Sequence, residues 1–430
     1  MSGVSTDRLA GRCDHSPAAI SKSASLVLVD PATAARESLS QRWEIFTVMI
    51  LAVLARALYW GKHPPDMGIY LEPWFAHIVH YGPIGAFAHP FSNYEPAYLY
   101  LLALGSLAHG LLPAMTIIKL ISVAGTLFLA TGLATLLNTA GISRRGALFV
   151  LILPSVAMND TLLGQCDAFW AGSCIFGLAS MIRGRTARAM CWCGLAIGFK
   201  AQAAFIAPVM IGAMAGRRAP WWQWAIPGAV FLGTLTPAWF AGWPAAKLLT
   251  VYLDQAKLDQ LPGQLANPWM IGTIWASDAS RSFFVVGYLA AGLAAVILAI
   301  LAARSARDAK MLILLASIAG TALPFLLPKM LERYYFLGDV MTLALALSVS
   351  APEASLAVRA VQLASILSQL TYLYFIDHPY LSLLGAACAG IGLTAMGRLA
   401  TKMFVLRPND SVGTHGIKVP QTHPRRATQW

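Results

Sequence analysis

Charged residues are scarce in this chain. Only 12% of its 430 residues are Asp, Glu, Lys or Arg, whereas 57% are hydrophobic. A soluble domain usually carries about 25% charged residues. Because the deficit extends over so long a chain, the composition excludes one large soluble domain and predicts a membrane protein. The net charge of +12 does not indicate a nucleic-acid partner, since most Lys and Arg lie in short loops between apolar runs, where they set topology.

Motifs for metals, nucleotides and export are also missing. The six Cys lie mostly in apolar runs and include no paired Cys-x-x-Cys, so they are expected to be small buried side chains. The chain contains no Asp-x-Asp, no His-x-x-x-His and no Walker loop. A catalytic metal, a cofactor and nucleotide-driven pumping are therefore not predicted. The first forty residues lack the apolar core of a signal peptide.

Long apolar runs are what the chain has in abundance. A spanning helix needs about 20 mainly apolar residues, and the runs that approach this length are 43–60, 115–138, 146–158, 167–182, 189–199, 201–215, 221–240, 282–303, 311–327, 334–350, 354–375 and 379–397. Those near 146, 189 and 201 are short enough to tilt, bend or enter only partway. The sequence predicts an all-α polytopic membrane protein with about 12 transmembrane helices.

Loop charges predict the topology. If the ambiguous segment 97–112 lies in the interface instead of crossing, all basic loops from Arg144 onward fall on the cytoplasmic side, as the positive-inside rule requires. Residues 61–113 then form a long first external loop with interfacial helices 69–81 and 97–112, and 242–281 form a second external loop. The transmembrane domain is expected at 43–400, between a polar cytoplasmic extension, 1–42, and a cytoplasmic tail, 401–430.

The predicted external side collects polar residues that are costly beside hydrocarbon. Asp66 follows two prolines in HPPDMGIYLEPW, where it either caps the next helix or acts as a general base in an interfacial cavity. Lys329 and Arg333 share one face if their segment is helical. They either bind an anion such as a phosphate or snorkel to the interface.

Three further segments contribute to the same side. Gln165 and Asp167 open a helix, with Asp167 as a possible cap, and Lys200 interrupts two short apolar runs. Together they indicate a polar cavity, with Lys200 as a second group for an anion. In the second external loop, Trp269 either contacts a substrate or anchors the chain at the interface.

Five segments in order resemble motifs of one family: DMGIYLEPW, NYEPAYLY, GQCDAFW, GFKAQAAFIAP and LPKMLERYYF. They are similar to integral-membrane glycosyltransferases of the GT-C superfamily, especially bacterial mannosyl- and glucosyltransferases that use a polyprenyl-phosphate sugar. The resemblance extends over about residues 43–335. Three positions depart from the family pattern: Glu95 replaces a Pro, Leu163 replaces a Trp and Leu331 replaces a His.

The resemblance implies a hexosyltransferase of the bacterial inner membrane that works on its outer face. A hexose would pass, with inversion, from the lipid-linked donor to a hydroxyl of a glycan, lipid or protein acceptor, with Asp66 as the general base. The donor phosphate would contact Arg333, Lys329, Lys200 and Glu332. The expected substrate-binding residues are Tyr70, Trp74, Asn93, Tyr94, Gln165, Asp167, Gln202, Asn267, Trp269 and Tyr334.

Other classes of membrane protein stay open. A lipid-linked glycan transporter or flippase would place its charges near the bilayer midplane and often shows internal repeats, and no repeat is evident here. A polysaccharide polymerase or ligase would share the lipid-linked substrate. A scaffold subunit would leave the external polar residues unexplained. An enzyme of the proposed kind needs Asp66 in an outward cavity beside Arg333.

Overall fold

The protein is helical throughout the part that its computed structural model describes, which comprises residues 31–257, 265–271, 280–375 and 380–405. No strand occurs within these ranges. Contacts divide the chain into two units, 1–46 and 47–430. The described part of the first unit is the beginning of helix α1, and the second unit contains all the elements discussed below.

The α-helices in these ranges are α1 Pro31–Trp60, α2 Glu72–Tyr81, α3 Pro96–Ser106, α4 Ala114–Thr139, α5 Pro154–Ala157, α6 Asp167–Ile182, α7 Thr186–Phe199, α8 Ala207–Gly216, α9 Ile226–Phe240, α10 Ala245–Lys257, α11 Ser280–Arg304, α12 Ala309–Leu326, α13 Phe336–Ser348, α14 Pro352–Tyr374 and α15 Tyr380–Val405. Short 3₁₀ helices occupy Gly85–Ala88, Arg144–Ile152, Ala201–Ile206 and Trp221–Ala225, and π-helical turns occupy Met67–Leu71 and Met158–Leu162.

Six of the described helices are long and apolar enough to cross a membrane: Ser40–Trp60 within α1, α4, Phe284–Arg304 within α11, α12, α14 and α15. These correspond to six of the predicted runs. Shorter apolar helices occur at Pro96–Ser106, Asp167–Ile182, Ala201–Gly216 and Phe336–Ser348. The membrane character predicted from the sequence is therefore supported, whereas the count of about 12 spans stays a prediction.

Prolines explain why several predicted runs are divided. Pro154, Pro208 and Pro227 each lie in the first turn of an α-helix that follows a 3₁₀ segment. Proline is tolerated there because the first helical N–H groups have no partner within the helix, whereas in a helix interior it removes a backbone hydrogen bond. The runs 146–158, 201–215 and 221–240 are consequently each built as a 3₁₀ segment followed by an α-helix.

Other boundaries differ from those predicted. α1 begins at Pro31, inside the expected 1–42 extension, whose residues 1–30 lie outside the described part. α3 ends at Ser106 instead of Leu112, and it buries Tyr98, Leu99 and Leu102. The segment predicted as the second external loop contains α10, and its residues 258–264 and 272–279 lie outside the described part. α15 extends to Val405, and the remaining tail is not described.

Small residues allow close helix packing in the second unit. A Cβ on Gly212 would lie 2.0 Å from the carbonyl oxygen of Ala299, and one on Gly216 would lie 2.1 Å from that of Ala303. These glycines are four residues apart on α8 and face a matching pair on α11. Lipid tails are as apolar as helix side chains, so such close backbone approach is a main source of association between membrane helices.

A buried ion pair joins α1 to the segment that precedes α6. Arg56 Nη2 lies 2.6 Å from Asp160 Oδ2, and Thr126 Oγ1 of α4 donates to the same oxygen at 2.9 Å. A further guanidinium nitrogen of Arg56 donates to the carbonyl of Leu151 at 2.8 Å. Since removing one member of such a pair leaves an uncompensated buried charge, this contact fixes the π-helical turn at Met158–Leu162.

Candidate functional site

A cavity of about 670 Å³ lies between the first loop, the residues before α6, the end of α7, α10, the segment after α12 and the end of α14. The predicted site residues that line it are Asp66, Tyr70, Trp74, Asn93, Tyr94, Gln165, Lys200, Gln202, Lys329, Glu332, Arg333 and Tyr334. These come from segments far apart in the chain, so the fold brings together the side chains that the sequence selected separately.

Asp66 presents its carboxylate to this cavity. Tyr372 Oη donates to its Oδ1 at 2.7 Å, Gln165 Nε2 donates to its Oδ2 at 3.1 Å, and Arg333 Nη1 lies 3.1 Å from Oδ2. Among the described residues, the Asp66 side chain makes no capping hydrogen bond to the turn that follows. Of the two interpretations left open by the sequence, the helix cap is therefore wrong.

Two irregular turns place Asp66 and Gln165 side by side. The π-helical turn Met67–Leu71 directly follows Asp66, and such turns are frequent at functional sites. Gly164 has φ = +67° and a Cβ on it would lie 2.6 Å from Cε of Met67. A larger residue would be strained in this backbone conformation, and its Cβ would displace the flexible end of the Met67 side chain. Gly164 thus lets the 163–166 segment approach closely enough for Gln165 to reach the carboxylate.

Arg333 is the main cation beside Asp66. It is 7% exposed and pairs through Nη1 with Glu332 and Asp66, while its Nε lies 3.9 Å from Asp167 Oδ2. Burial alone would lower the pKa of Arg333, but the carboxylates of Glu332 and Asp66 raise it well above the ordinary value. The guanidinium is therefore charged and able to bind an anion in a fork geometry.

Lys200 supplies a second buried cation. Its Nζ donates to Asp167 Oδ1 at 2.7 Å and to Gln165 Oε1 at 3.3 Å, and it lies 4.9 Å from the centre of the Tyr94 ring. Burial would lower the pKa of Lys200, but Asp167 outweighs this effect and raises it. Lys200 therefore stays protonated. It donates to Gln165, which in turn donates to Asp66.

Asp167 has a different place from the one predicted. It does not line the cavity but lies behind it, where Asn159 Nδ2 and Trp170 Nε1 donate to it at 2.7 and 2.8 Å. Its carboxylate therefore positions Lys200 and contributes negative charge near Arg333. A direct substrate contact is not indicated for this residue.

An aromatic wall stands next to the carboxylate. The ring centres of Tyr70 and Trp74 are 5.9 Å apart, and those of Trp74 and Tyr94 are 4.9 Å apart. Tyr94 Oη also donates to Gln165 Oε1 at 3.0 Å. Such rings present apolar faces and a polar edge, a combination that suits the apolar faces and hydroxyl groups of a sugar ring.

Lys329 reaches the cavity from an irregular segment. It has φ = +59°, which a residue with a side chain adopts at a cost, and its Nζ lies 5.2 Å from the Phe284 ring centre. The residues from Leu327 to Leu331 are not helical. Lys329 and Arg333 therefore do not share a helix face, but both still line the cavity.

Asn267 and Trp269 do not line the cavity. Asn267 Nδ2 donates to the carbonyl of Leu327 at 3.2 Å, and Trp269 Nε1 donates to that of Leu326 at 2.8 Å. The last carbonyls of a helix have no partner within it, so these side chains satisfy the end of α12. They position the 327–334 segment, and neither the predicted substrate contact nor aromatic anchoring accounts for their contacts.

Tyr372 and Glu95 are among the cavity residues that were not predicted as site residues. Tyr372 hydrogen-bonds to Asp66, but in the sequence it is one of several aromatic residues at the end of an apolar run, where interfacial aromatics are common. Glu95 lines the cavity although it is 1% exposed. Its departure from the family's Pro was visible in the sequence, but nothing indicated which way the carboxyl would point.

The arrangement suits proton transfer beside an anion. A carboxylate, two charged cations and an aromatic wall face one partly enclosed volume. Within the described residues, no group of three or more His, Cys, Asp or Glu could hold a metal ion; a metal-free reaction stays a prediction. When the chain is compared with protein-family models and with curated proteins, no match is found in either search.

Proposed function

We propose that this chain is a membrane-embedded glycosyltransferase that moves a hexose from a polyprenyl-phosphate donor to an acceptor hydroxyl. The observation that carries this proposal is the position of Asp66 at the wall of a 670 Å³ cavity, 3.1 Å from Arg333. A carboxylate accepts a proton from a hydroxyl, and a buried guanidinium binds a phosphate. Their adjacency fits an attack on a sugar joined to phosphate.

The reaction proceeds by a single displacement. The acceptor hydroxyl gives its proton to a carboxylate oxygen of Asp66 while its oxygen attacks the anomeric carbon from the face opposite the phosphate. The bond between that carbon and the phosphate oxygen breaks, so the configuration inverts. The electron pair leaves with the polyprenyl phosphate, whose charge Arg333 stabilises together with Lys329 or Lys200. The product is a new glycosidic bond and protonated Asp66.

Arg333 also regulates the base in this scheme. Its Nη1 lies 3.1 Å from Oδ2 of Asp66. A donor phosphate competes for the same guanidinium. Binding of the donor therefore draws Arg333 away from Asp66 and leaves the carboxylate free for the acceptor. Glu332, which also pairs with Arg333, keeps the guanidinium in place during this exchange.

We further propose the predicted arrangement in the bilayer of a bacterial inner membrane. The shorter helices cross or enter beside the six long ones, giving about 12 spanning segments, with both termini cytoplasmic and the cavity on the outer side. Two observations support this: the predicted runs form helices in the described residues, and the basic loops fall on one side in that topology.

Substitution of the base is the direct test. Asp66→Asn keeps the side-chain shape and is expected to reduce transfer of labelled hexose from a synthetic polyprenyl-phosphate donor by about 10²–10⁴-fold. The measurement compares purified wild type with this variant and with Glu72→Gln, a half-exposed carboxyl that pairs with His63 at 2.9 Å. Wild-type turnover in Asp66→Asn would exclude Asp66 as the base. A folded wild type that turns over no donor, but moves a lipid-linked glycan across vesicles, would favour a flippase.

A further inference from the structure

The cavity has a second polar part, to which the proposed displacement assigns no role. Asn93, Tyr94 and Glu95 are consecutive and all line it. Tyr94 turns toward Gln165 and the base. Asn93 and Glu95, on either side of it, each carry a buried oxygen, Oδ1 and Oε2 respectively, for which the described residues provide no hydrogen-bond partner.

Glu95 does not serve the helix that it precedes. It stands at the N-cap position of α3 with an extended backbone, yet it makes no side-chain capping bond to the described residues. Burial raises the pKa of its carboxyl to about 8, and no neighbouring charge contributes to this shift. The carboxyl is therefore largely protonated at neutral pH, with an O–H that can donate and oxygens that can accept.

The neighbouring polar groups already have partners. Gln255 of α10 donates through Nε2 to the backbone carbonyl of Asn93, and Tyr252 Oη donates to the carbonyl of Ile197 at 2.5 Å. Lys200 is held by Asp167. The oxygens of Asn93 and Glu95 have no such partner among the described residues, and in the rest of the lining the same holds for Gln202 Oε1 and Arg333 Nε. An orphaned buried polar group costs about 1–3 kcal/mol, so a ligand that supplies the missing bonds recovers that cost.

We propose that Asn93 and Glu95 form a recognition site for the hydroxyl groups of a sugar ring. A hydroxyl both donates and accepts: its O–H donates to Asn93 Oδ1, and its oxygen accepts from the carboxylic acid of Glu95. This site deepens the proposed function and rests on it. The ring comes from the donor hexose or from a sugar acceptor, since both bring hydroxyls to the same cavity.

The electrostatics separate this site from the phosphate end. The charged Arg333 lies 3.1 Å from Asp66, and the charged Lys200 is linked to Asp66 through Gln165, so an anion is stabilised at this end. The titratable groups that face Glu95 are the phenols of Tyr100 and Tyr252, which are neutral at physiological pH. A phosphate is therefore drawn to one end of the cavity and an uncharged polyol to the other.

The test compares Glu95→Leu, which removes both polar atoms, with Glu95→Gln, which keeps one donor and one acceptor. Two reactions are measured with purified full-length protein and a synthetic polyprenyl-phosphate hexose: slow release of hexose to water, and transfer to a sugar acceptor. Glu95→Leu is expected to raise either the donor KM or the acceptor KM at least tenfold, with kcat within threefold of wild type. Glu95→Gln is expected to stay within threefold in both constants, as is the control Glu72→Leu outside the cavity.

The KM that rises shows whether the sugar ring bound by Asn93 and Glu95 belongs to the donor or to the acceptor. A raised donor KM in both reactions assigns the site to the donor hexose, whereas a raised acceptor KM alone assigns it to the acceptor. Asn93→Ala is expected to raise the same KM, and the double variant to cost less than the sum of both single changes, because the two side chains share a hydroxyl. This second variant keeps the test decisive if Glu95→Leu does not fold.

Two outcomes overturn the proposal, and they are distinguishable. If wild type transfers hexose while Glu95→Leu and Asn93→Ala match it within twofold in every KM, the hydroxyl site is wrong and the transferase stands. If folded wild type turns over no lipid-linked hexose, the proposed function and the site that rests on it both fail.

Discussion

At the scale of residues, the carboxylate of Asp66 depends on donors from three other parts of the chain. Tyr372, Gln165 and Arg333 each contact it. Tyr372 is the neutral member that touches Oδ1, the oxygen that Arg333 and Gln165 leave free. It therefore sets the orientation of the carboxylate toward an incoming hydroxyl without itself bearing charge.

Tyr372→Phe is expected to lower kcat about threefold to tenfold while KM for the donor changes less than twofold. The substitution removes one hydrogen bond to a charged group, worth about 1.5–3 kcal/mol, of which only the part that differs in the transition state affects kcat. Steady-state hexose transfer measures this split. Tyr374→Phe is the matched control, since Tyr374 is exposed on the same helix. A rise in KM with unchanged kcat would contradict the positioning role.

Glu95 makes stability depend on pH. Burial raises its pKa from 4.5 to about 8, so between these values the folded chain retains a proton that the unfolded chain has released. The free energy of unfolding therefore falls as pH rises through this window. Above about pH 8, the stabilising contribution of the neutral Glu95 carboxyl is fully lost. Glu95→Gln, which cannot ionise, is expected to gain several degrees in melting temperature over wild type between pH 5 and 9.

Thermal unfolding in detergent across this pH range measures the effect. Asn93→Ala serves as its control, because it alters the same cavity wall without changing a titratable group and should therefore keep the wild-type pH dependence. A difference between Glu95→Gln and wild type that is constant with pH would mean that the carboxyl of Glu95 does not titrate in this window.

Most of the candidate site could be predicted from the sequence, but not the direction of individual side chains. The sequence indicated four residues of the site because polar side chains beside apolar runs cost free energy unless they have partners. These residues are Asp66, Gln165, Lys200 and Arg333. The role of Asn267 could not be predicted, because the sequence does not distinguish a polar side chain that caps a helix end from one that contacts a ligand. Contacts across 306 positions, such as Tyr372 to Asp66, leave no local pattern.

At the scale of elements, apolar runs predicted the helices well and their ends poorly. The long runs became α4, α12 and α14 within two residues at either end. The short runs 146–158 and 201–215 include 3₁₀ segments as well as α-helix, whereas the run 189–199 lies within the continuous helix α7. α10 was missed altogether because its charged residues made it resemble an external loop.

Packing of α8 on α11 gives a prediction at this scale. Gly212→Ala is expected to destabilise the protein by about 1–3 kcal/mol, because its Cβ would meet the backbone of Ala299, which cannot yield like a flexible side chain. In Gly233→Ala, the new Cβ meets nothing within 4 Å in the described part of the chain. That variant is expected to be neutral or slightly stabilising. Thermal unfolding in detergent distinguishes the two, and equal effects would contradict the close contact.

At the scale of the whole molecule, the basic loops and the cavity require a definite orientation in the bilayer. Arg144 and Arg145 follow α4, whereas the first loop with Asp66 precedes it. The positive-inside rule assigns these two ends of α4 to opposite sides. In the proposed topology, the cavity lies on the side to which the first loop belongs.

Cysteine labelling tests this orientation. In a variant whose own cysteines are replaced, Gly110→Cys before α4 is expected to react with a membrane-impermeant maleimide from the outer side of intact cells. Ser143→Cys after α4 is expected to react only when the membrane is permeabilised. Both positions are exposed. Labelling of Ser143→Cys alone in intact cells would reverse the proposed topology.

The distance in sequence between Asp66 and Tyr372 has a consequence for biosynthesis. Chains are made from the N-terminus onward, so the segment that carries the base is inserted long before Arg333 and α14 leave the ribosome. A nascent chain already displays its carboxylate but has neither the guanidinium for the phosphate nor the phenol that orients the base. If the chain has the function that we propose, an unfinished chain therefore turns over no lipid-linked sugar, and catalysis begins only when nearly the whole chain has entered the membrane.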